Sequence, residues 1–172
     1  ENAKKLLAIT RFGVGYDSVD IKSCTANDVL VIISAGAVDR SVAEATITWM
    51  LALTHRVIEK DQSVRTGNWN NRNSLMGSEL RDRILGVIGF GGIGKKLIDL
   101  LKGFGMSQPI VYDPFVSEEV INSYGVKSVE FEQLLQEADF VSLHCPLNEE
   151  TRGLIGENEL EAMKPTAYLL NL

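Results

Sequence analysis

Two rhythms of apolar residues alternate along this chain. Short uncharged blocks at residues 29–33, 84–88, 110–112, 140–144 and 167–171 read as strands, the one at 84–88 buried on both faces of a parallel sheet and the one at 167–171 buried as well. Between them, apolar residues recur at helical spacing. Ile93, Leu97, Leu100 and Leu101 share one face, Lys95, Lys96 and Asp99 take the other, and Gly103 and Gly105 end the helix. The spacing further predicts a helix over 117–124 stopped by Gly125, a short strand over 126–129, a helix through Leu134 and Leu135, and a helix over 157–164 stopped by Pro165.

Upstream, residues 5–9 read as a strand, followed by a loop containing Gly13 and Gly15 and a polar helical turn before the block at 29–33. Ser41 and Glu44 have the spacing of a capping box, which predicts a helix over about 41–60. Its first part is apolar nearly all round (Ala45, Ile47, Trp49, Met50, Leu51, Leu53), so it must be covered on several sides by its own domain, a neighbouring lobe or a partner subunit, and burial between lobes is the preferred reading. Residues 65–80, rich in Asn, Ser and Gly, read as a surface connection and a candidate contact for a second subunit. The βα alternation predicts an α/β fold: a doubly wound parallel sheet with right-handed crossovers, whose ligand crevice lies beyond the strand C-termini.

That rim carries the candidate chemistry. After the strand at 84–88 comes Gly89-Phe90-Gly91-Gly92-Ile93-Gly94, opening a helix, and the next strand ends in Asp113, nineteen residues after Gly94. The first glycine permits a tight turn, the second lets backbone approach a diphosphate, and the third lets helix and strand pack closely. The helix start presents unpaired N–H groups and a positive dipole end to an anion. Asp113 is placed to accept hydrogen bonds from both hydroxyls of an unphosphorylated ribose, and no Arg or Lys adjoins it to meet a 2′-phosphate. NAD is therefore the expected ligand, ahead of NADP.

Composition narrows the picture further. At 172 residues and 45% hydrophobic, the chain can bury one good core and part of a second. A net charge of −6 without any basic run opposes nucleic-acid or membrane-surface binding. The uncharged run from Ala45 to Thr54 is too short to span a bilayer. Cys24 and Cys145 read as free buried thiols, and with only His55 and His144 beside them no metal site is expected. No segment of signal-peptide form follows Glu1 to Lys5, so a cytoplasmic location is expected.

Several segments now line up in order. Gly13-Val14-Gly15-Tyr16-Asp17-Ser18-Val19-Asp20, Ser41-Val42-Ala43-Glu44, Arg65-Thr66-Gly67-Asn68-Trp69, the glycine turn, Tyr112-Asp113-Pro114, and His144-Cys145-Pro146-Leu147 with Thr151-Arg152-Gly153-Leu154-Ile155 resemble the D-isomer-specific 2-hydroxyacid dehydrogenases essentially end to end. The resemblance implies hydride transfer between a D-2-hydroxy acid or 2-keto acid and nicotinamide, in a cleft between two lobes. Residues 1–38 would be a fragment of a flavodoxin-like substrate lobe, and 39–172 a Rossmann-type NAD-binding lobe lacking its last strands. By the same resemblance, Val14 and Gly15 bind the substrate carboxylate. Arg11 either adds charge there or is a solvated surface arginine. Val42 lies near the nicotinamide, Gly89, Gly91, Gly92, Ile93 and Gly94 cradle the diphosphate, and Asp113 and Pro114 take the ribose. His144, Cys145, Pro146 and Thr151 lie near the adenosine.

His144 is read as a rim residue, not a base. In the resembled family an arginine follows the pair that Asn171-Leu172 resembles, and a glutamate and the catalytic histidine come later. No catalytic residue is therefore expected within this chain, which should hold NAD without turning over alone. Three positions depart from the family pattern: Ser34-Ala35-Gly36 stands for Thr-Pro-Gly, Gly92 for a larger residue that often adds a phosphate contact, and Leu172 for Thr or Ser. The resemblance also implies a homodimer through the NAD-binding lobe. The alternatives are an NAD(H)-sensing module of the same family and another enzyme on the same lobe, such as a formate or adenosylhomocysteine-type enzyme. The loop at 13–20 and the segment at 151–155 argue against the latter.

Overall fold

In the computed structural model, which describes residues 5–172, the strands form two separate parallel sheets. The smaller pairs β1 (Ala8–Arg11) with β2 (Leu30–Ile33), joined by the short helix α1 (Ile21–Ala26). Asp20 caps α1 by accepting from the Ser23 N–H at 2.9 Å. The strand expected over 5–9 is thus displaced to Ala8–Arg11, because its pairing register is set by Leu30 to Ile33 on the partner strand.

The larger sheet has five strands in the order β5-β4-β3-β6-β7: β3 (Leu85–Ile88), β4 (Ile110–Tyr112), β5 (Lys127–Ser128), β6 (Phe140–Leu143) and β7 (Tyr168–Asn171). All neighbours are parallel. Alternate residues serve opposite faces. Leu85, Val87, Val111 and Phe140 pack with Met50, Leu97, Leu101 and Ile121, which come from α2 (Asp39–Thr54), α4 (Gly92–Leu101) and α5 (Glu118–Ser123). Ile88, Ile110 and Val141 pack with Leu134 and Leu135 of α6 (Phe131–Glu137), and Ala162 of α7 (Glu157–Ala162) joins them. The sheet is therefore doubly wound, with its order reversing at β3, between β4 and β6.

Asp139 fastens the opposite end of this sheet. It accepts from the Ile84 N–H at 2.8 Å and from the Lys164 ammonium at 2.9 Å, while its carbonyl accepts from the Tyr168 N–H. Burial pushes its carboxyl up, but these hydrogen bonds and the charges of Lys164 and Arg83 outweigh burial and hold it below the usual carboxylate range.

Three expectations for residues 41–60 are corrected. The helix begins at Asp39 with Val38 at its N-cap, so Ser41 and Glu44 lie inside its first turns and form no capping box; Glu44 instead pairs with Arg40 at 2.7 Å. Nor is the helix continuous. Arg56 adopts a left-handed conformation with φ 52°, which ends α2 and starts α3 (Val57–Arg65), and its guanidinium donates to the Ser74 carbonyl at 2.9 Å. Residues 69–75 form a 3-10 helix within the expected surface connection. Finally, α2 is not buried all round: Ala43, Thr46 and Met50 face the core against α4, whereas Trp49 and Leu53 are exposed.

Candidate functional site

The ends of β3, β4 and β6 bring residues 89–94, Asp113 and 144–151 onto one rim, where the sheet order reverses. Gly89 holds the turn with φ 95°, and a Cβ there would lie 2.6 Å from the Cys145 nitrogen and 2.7 Å from the His144 carbonyl carbon. Its N–H donates to the Tyr112 carbonyl, and the Phe90 N–H donates to Asp113 Oδ2 at 2.7 Å. Helix α4 then starts at Gly92 with no side-chain cap, and its first intrahelical bond runs from the Lys95 N–H to the Gly91 carbonyl. The N–H groups of Gly91, Gly92, Ile93 and Gly94 have no acceptor among the described residues. Space beside Gly91 is open, since nothing lies within 4 Å of a Cβ built there. This is a cradle of free donors at the positive end of a helix, suited to a diphosphate.

Asp113 has a double duty that spacing does not reveal. Besides Phe90, it accepts from the Phe115 N–H through Oδ1 at 2.9 Å, so the carboxylate braces both the glycine turn and its own loop through the exposed Pro114. Each oxygen retains a lone pair for a sugar hydroxyl.

Across the crevice, the His144 N–H donates to the Ile88 carbonyl at 2.7 Å, and its Nε2 lies 2.8 Å from the hydroxyl of buried Ser142. Burial pushes the imidazole pKa down to about 4, so the ring is neutral at physiological pH. Burial pushes the Cys145 thiol up, and the Asp113 carboxylate adds to the shift, leaving a protonated and weakly nucleophilic sulfur. The loop beyond it is closed by Asn148 and Thr151. The Thr151 hydroxyl donates to the Pro146 carbonyl, and Asn148 Oδ1 accepts from the N–H groups of Glu150 and Thr151. Pro146 is exposed on this loop.

The sequence decides the kinship: the family D-isomer specific 2-hydroxyacid dehydrogenase, NAD binding domain, matches residues 47–172. The chain belongs to the D-isomer-specific 2-hydroxyacid dehydrogenases. It is 40% identical over 177 residues to a glyoxylate reductase of Thermococcus litoralis, covering 99% of this chain and 53% of that protein. It is also 39% identical over 172 residues to a D-3-phosphoglycerate dehydrogenase of Methanocaldococcus jannaschii, covering 99% and 32%. The fold superposes on a D-lactate dehydrogenase from Aquifex aeolicus complexed with NAD and lactic acid, with a TM-score of 0.85 and 32% identity over 97% of this chain and 50% of that one. This chain thus spans about half the length of such relatives, or less.

NAD is the cofactor of this dehydrogenase lobe. The residues present fit it on their own geometry, because the free donors of the cradle and the spare lone pairs of Asp113 lie at neighbouring strand ends. Val42 sits on the first turns of α2, three residues after Asp39, whose carboxylate lies against Gly92. Val14 and Gly15 lie away from this rim in the sequence, in the loop after β1, and their N–H groups have no acceptor among the described residues. That loop is tied to the end of β2 by the Ser34 N–H donating to the Gly13 carbonyl at 2.9 Å. Arg11 is engaged locally, donating to the Ser18 hydroxyl at 3.0 Å beside Asp17.

Three residues of the dehydrogenase rim escaped sequence reasoning. Asn148 carried a readable signal, the Asn-x-x-Thr spacing of a side-chain turn. Ser142 and Asp39 carried none, because their partners come from elsewhere in the chain or from a strand neighbour on the same face. Both cysteines are free, as expected; Cys24 is buried and Cys145 half-buried. No helix is long and apolar enough to cross a membrane, among the described residues.

Proposed function

We propose that these residues form the cofactor-holding part of an oxidoreductase that moves a hydride between NAD and a D-2-hydroxy acid or its 2-keto acid. The observation that carries the reading is the run of unpaired N–H groups from Gly91 to Gly94 beside the Asp113 carboxylate. Bound there, NAD supplies the hydride chemistry, and the protein orients it. Gly89 and residues 91–94 take the diphosphate, and Asp113 with Pro114 takes the adenosine ribose. The loop of His144, Cys145, Pro146 and Thr151 takes the adenine side, and Val42 faces the nicotinamide. Residues 1–38 belong to the substrate lobe, of which residues 1–4 lie outside the described ones, and residues 39–172 belong to the cofactor lobe. The separate β1–β2 sheet supports that division. Free N–H groups at Val14 and Gly15 are the donors for the substrate carboxylate. The relatives' names mention different acids, so the reading stops at the class.

Turnover needs a base that these residues do not supply. His144 is neutral and bonded to Ser142, and neither histidine pairs with a carboxylate among the described residues. Calorimetric titration of the 172-residue chain with NADH is expected to show saturable heat, with no oxidation of lactate, glycolate or 3-phosphoglycerate when NAD is supplied. Measurable turnover, or no heat at all, overturns the reading. A purely NAD(H)-sensing role is not favoured, since the named relatives are reductases and dehydrogenases. Free cysteines support a reducing, cytoplasmic setting.

The same lobe is proposed to form a homodimer. Trp49, Leu53, Val57, Ile58, Val64 and Trp69 expose apolar side chains along α2, α3 and the 3-10 helix, which a second copy would cover. Size-exclusion chromatography with light scattering is expected to give twice the chain mass, and Trp49→Glu to give the monomer; a wild-type monomer at high concentration rejects the proposal.

A further inference from the structure

A carboxylate stands at the entrance of the proposed diphosphate cradle. Asp39 opens α2, and a Cβ built on Gly92 would lie 2.0 Å from Asp39 Oδ2 and 3.2 Å from Oδ1. Only the missing side chain at Gly92 leaves room for it. Asp39 has no ion pair and accepts no side-chain hydrogen bond among the described residues. Of the cations nearest to Asp39 and Gly92 in sequence, Arg40 pairs with Glu44 at 2.7 Å and Lys95 stands over the rings of Phe90 and Tyr124, 5.3 Å from each centroid, while Lys96 makes no ion pair among the described residues. The positive end of α4 and its uncapped N–H groups therefore lie beside a carboxylate that takes part in no ion pair among the described residues.

We propose that Asp39 sets the affinity of this site for the dinucleotide: its carboxylate, standing against Gly92 beside the free N–H groups, repels the diphosphate that they take. The inference rests on the reading of residues 89–94 as the diphosphate cradle. Two like charges within a few ångströms at a protein surface repel enough to change affinity by about an order of magnitude.

The test is equilibrium titration of the wild-type chain and of Asp39→Asn and Asp39→Ala with NADH, ADP and adenosine, alongside thermal melts to show that each variant is folded. Both variants are expected to bind NADH and ADP about tenfold tighter than wild type, with adenosine unchanged, because only the first two bring a diphosphate. Raised salt is expected to narrow the gap by screening the half-buried carboxylate in part. Unchanged or weaker ADP binding in both variants overturns the inference while leaving the cradle intact, provided the wild type binds ADP. An equal gain for adenosine also overturns it, since that reports a general opening of the crevice. If wild type and variants all fail to bind NADH and ADP, the inference and the cradle reading fall together.

Discussion

Gly94→Ala is expected to raise the dissociation constant for NADH by tenfold to a hundredfold and to destabilise the fold by about 1–3 kcal/mol. A Cβ on Gly94 would lie 2.6 Å from the Gly89 carbonyl oxygen and 3.1 Å from Val87 Cγ1. Neither neighbour can retreat. Val87 is fully buried in the core, and Gly89 is pinned at φ 95° against the backbone of His144 and Cys145. The helix must therefore lift off the sheet, taking the N–H groups of Gly92 and Ile93 out of position. Gly91→Ala separates the two effects. Its Cβ meets nothing within 4 Å and its φ is −77°, so stability should change little while the methyl group obstructs the diphosphate. Urea unfolding and NADH titration on the two variants check both halves. A Gly94→Ala chain that binds NADH normally would show that close helix–strand contact is not what positions the donors.

Asp113→Ala is expected to weaken NADH binding about a hundredfold, and Asp113→Asn by less. The alanine variant loses two sugar-facing acceptors and also orphans the Phe90 N–H, now held at 2.7 Å, and the Phe115 N–H, now held at 2.9 Å. Hydrogen bonds to a charged acceptor contribute about 1.5–3 kcal/mol each, so loss of the brace alone is enough to loosen the glycine turn. NADPH binding should fall less than NADH binding, because removing the carboxylate also removes its repulsion of a 2′-phosphate. Fluorescence titration with both nucleotides measures the change in preference. A parallel loss for the two cofactors would mean that Asp113 acts only as a brace and does not select the sugar.

Local pattern was enough for the sheet blocks around β3, β4 and β6, because a strand covered on both faces must be apolar throughout and a glycine-rich turn after it has few other uses. It misjudged residues 41–60 for an equally physical reason. Ser41 and Glu44 have the right residue types for a helix start, but the chain had already turned helical at Asp39, and a capping box works only at an end. The break at Arg56 left no trace of Gly or Pro; its backbone is left-handed, and its guanidinium reaches the Ser74 carbonyl, eighteen residues away, a partner that no local window contains.

What the chain of residue types determined by itself was the doubly wound class, the donor-rich turn and the acid on the adjoining strand, since each follows from periodicity and from steric freedom within a few residues. Tertiary structure alone decided that Asp113 braces the turn it serves, that His144 is neutral through burial beside Ser142, and that Asp39 faces Gly92. Those properties depend on which groups meet across long separations, and on how far water is kept from them; neither distance nor dielectric surroundings is written in sequence spacing.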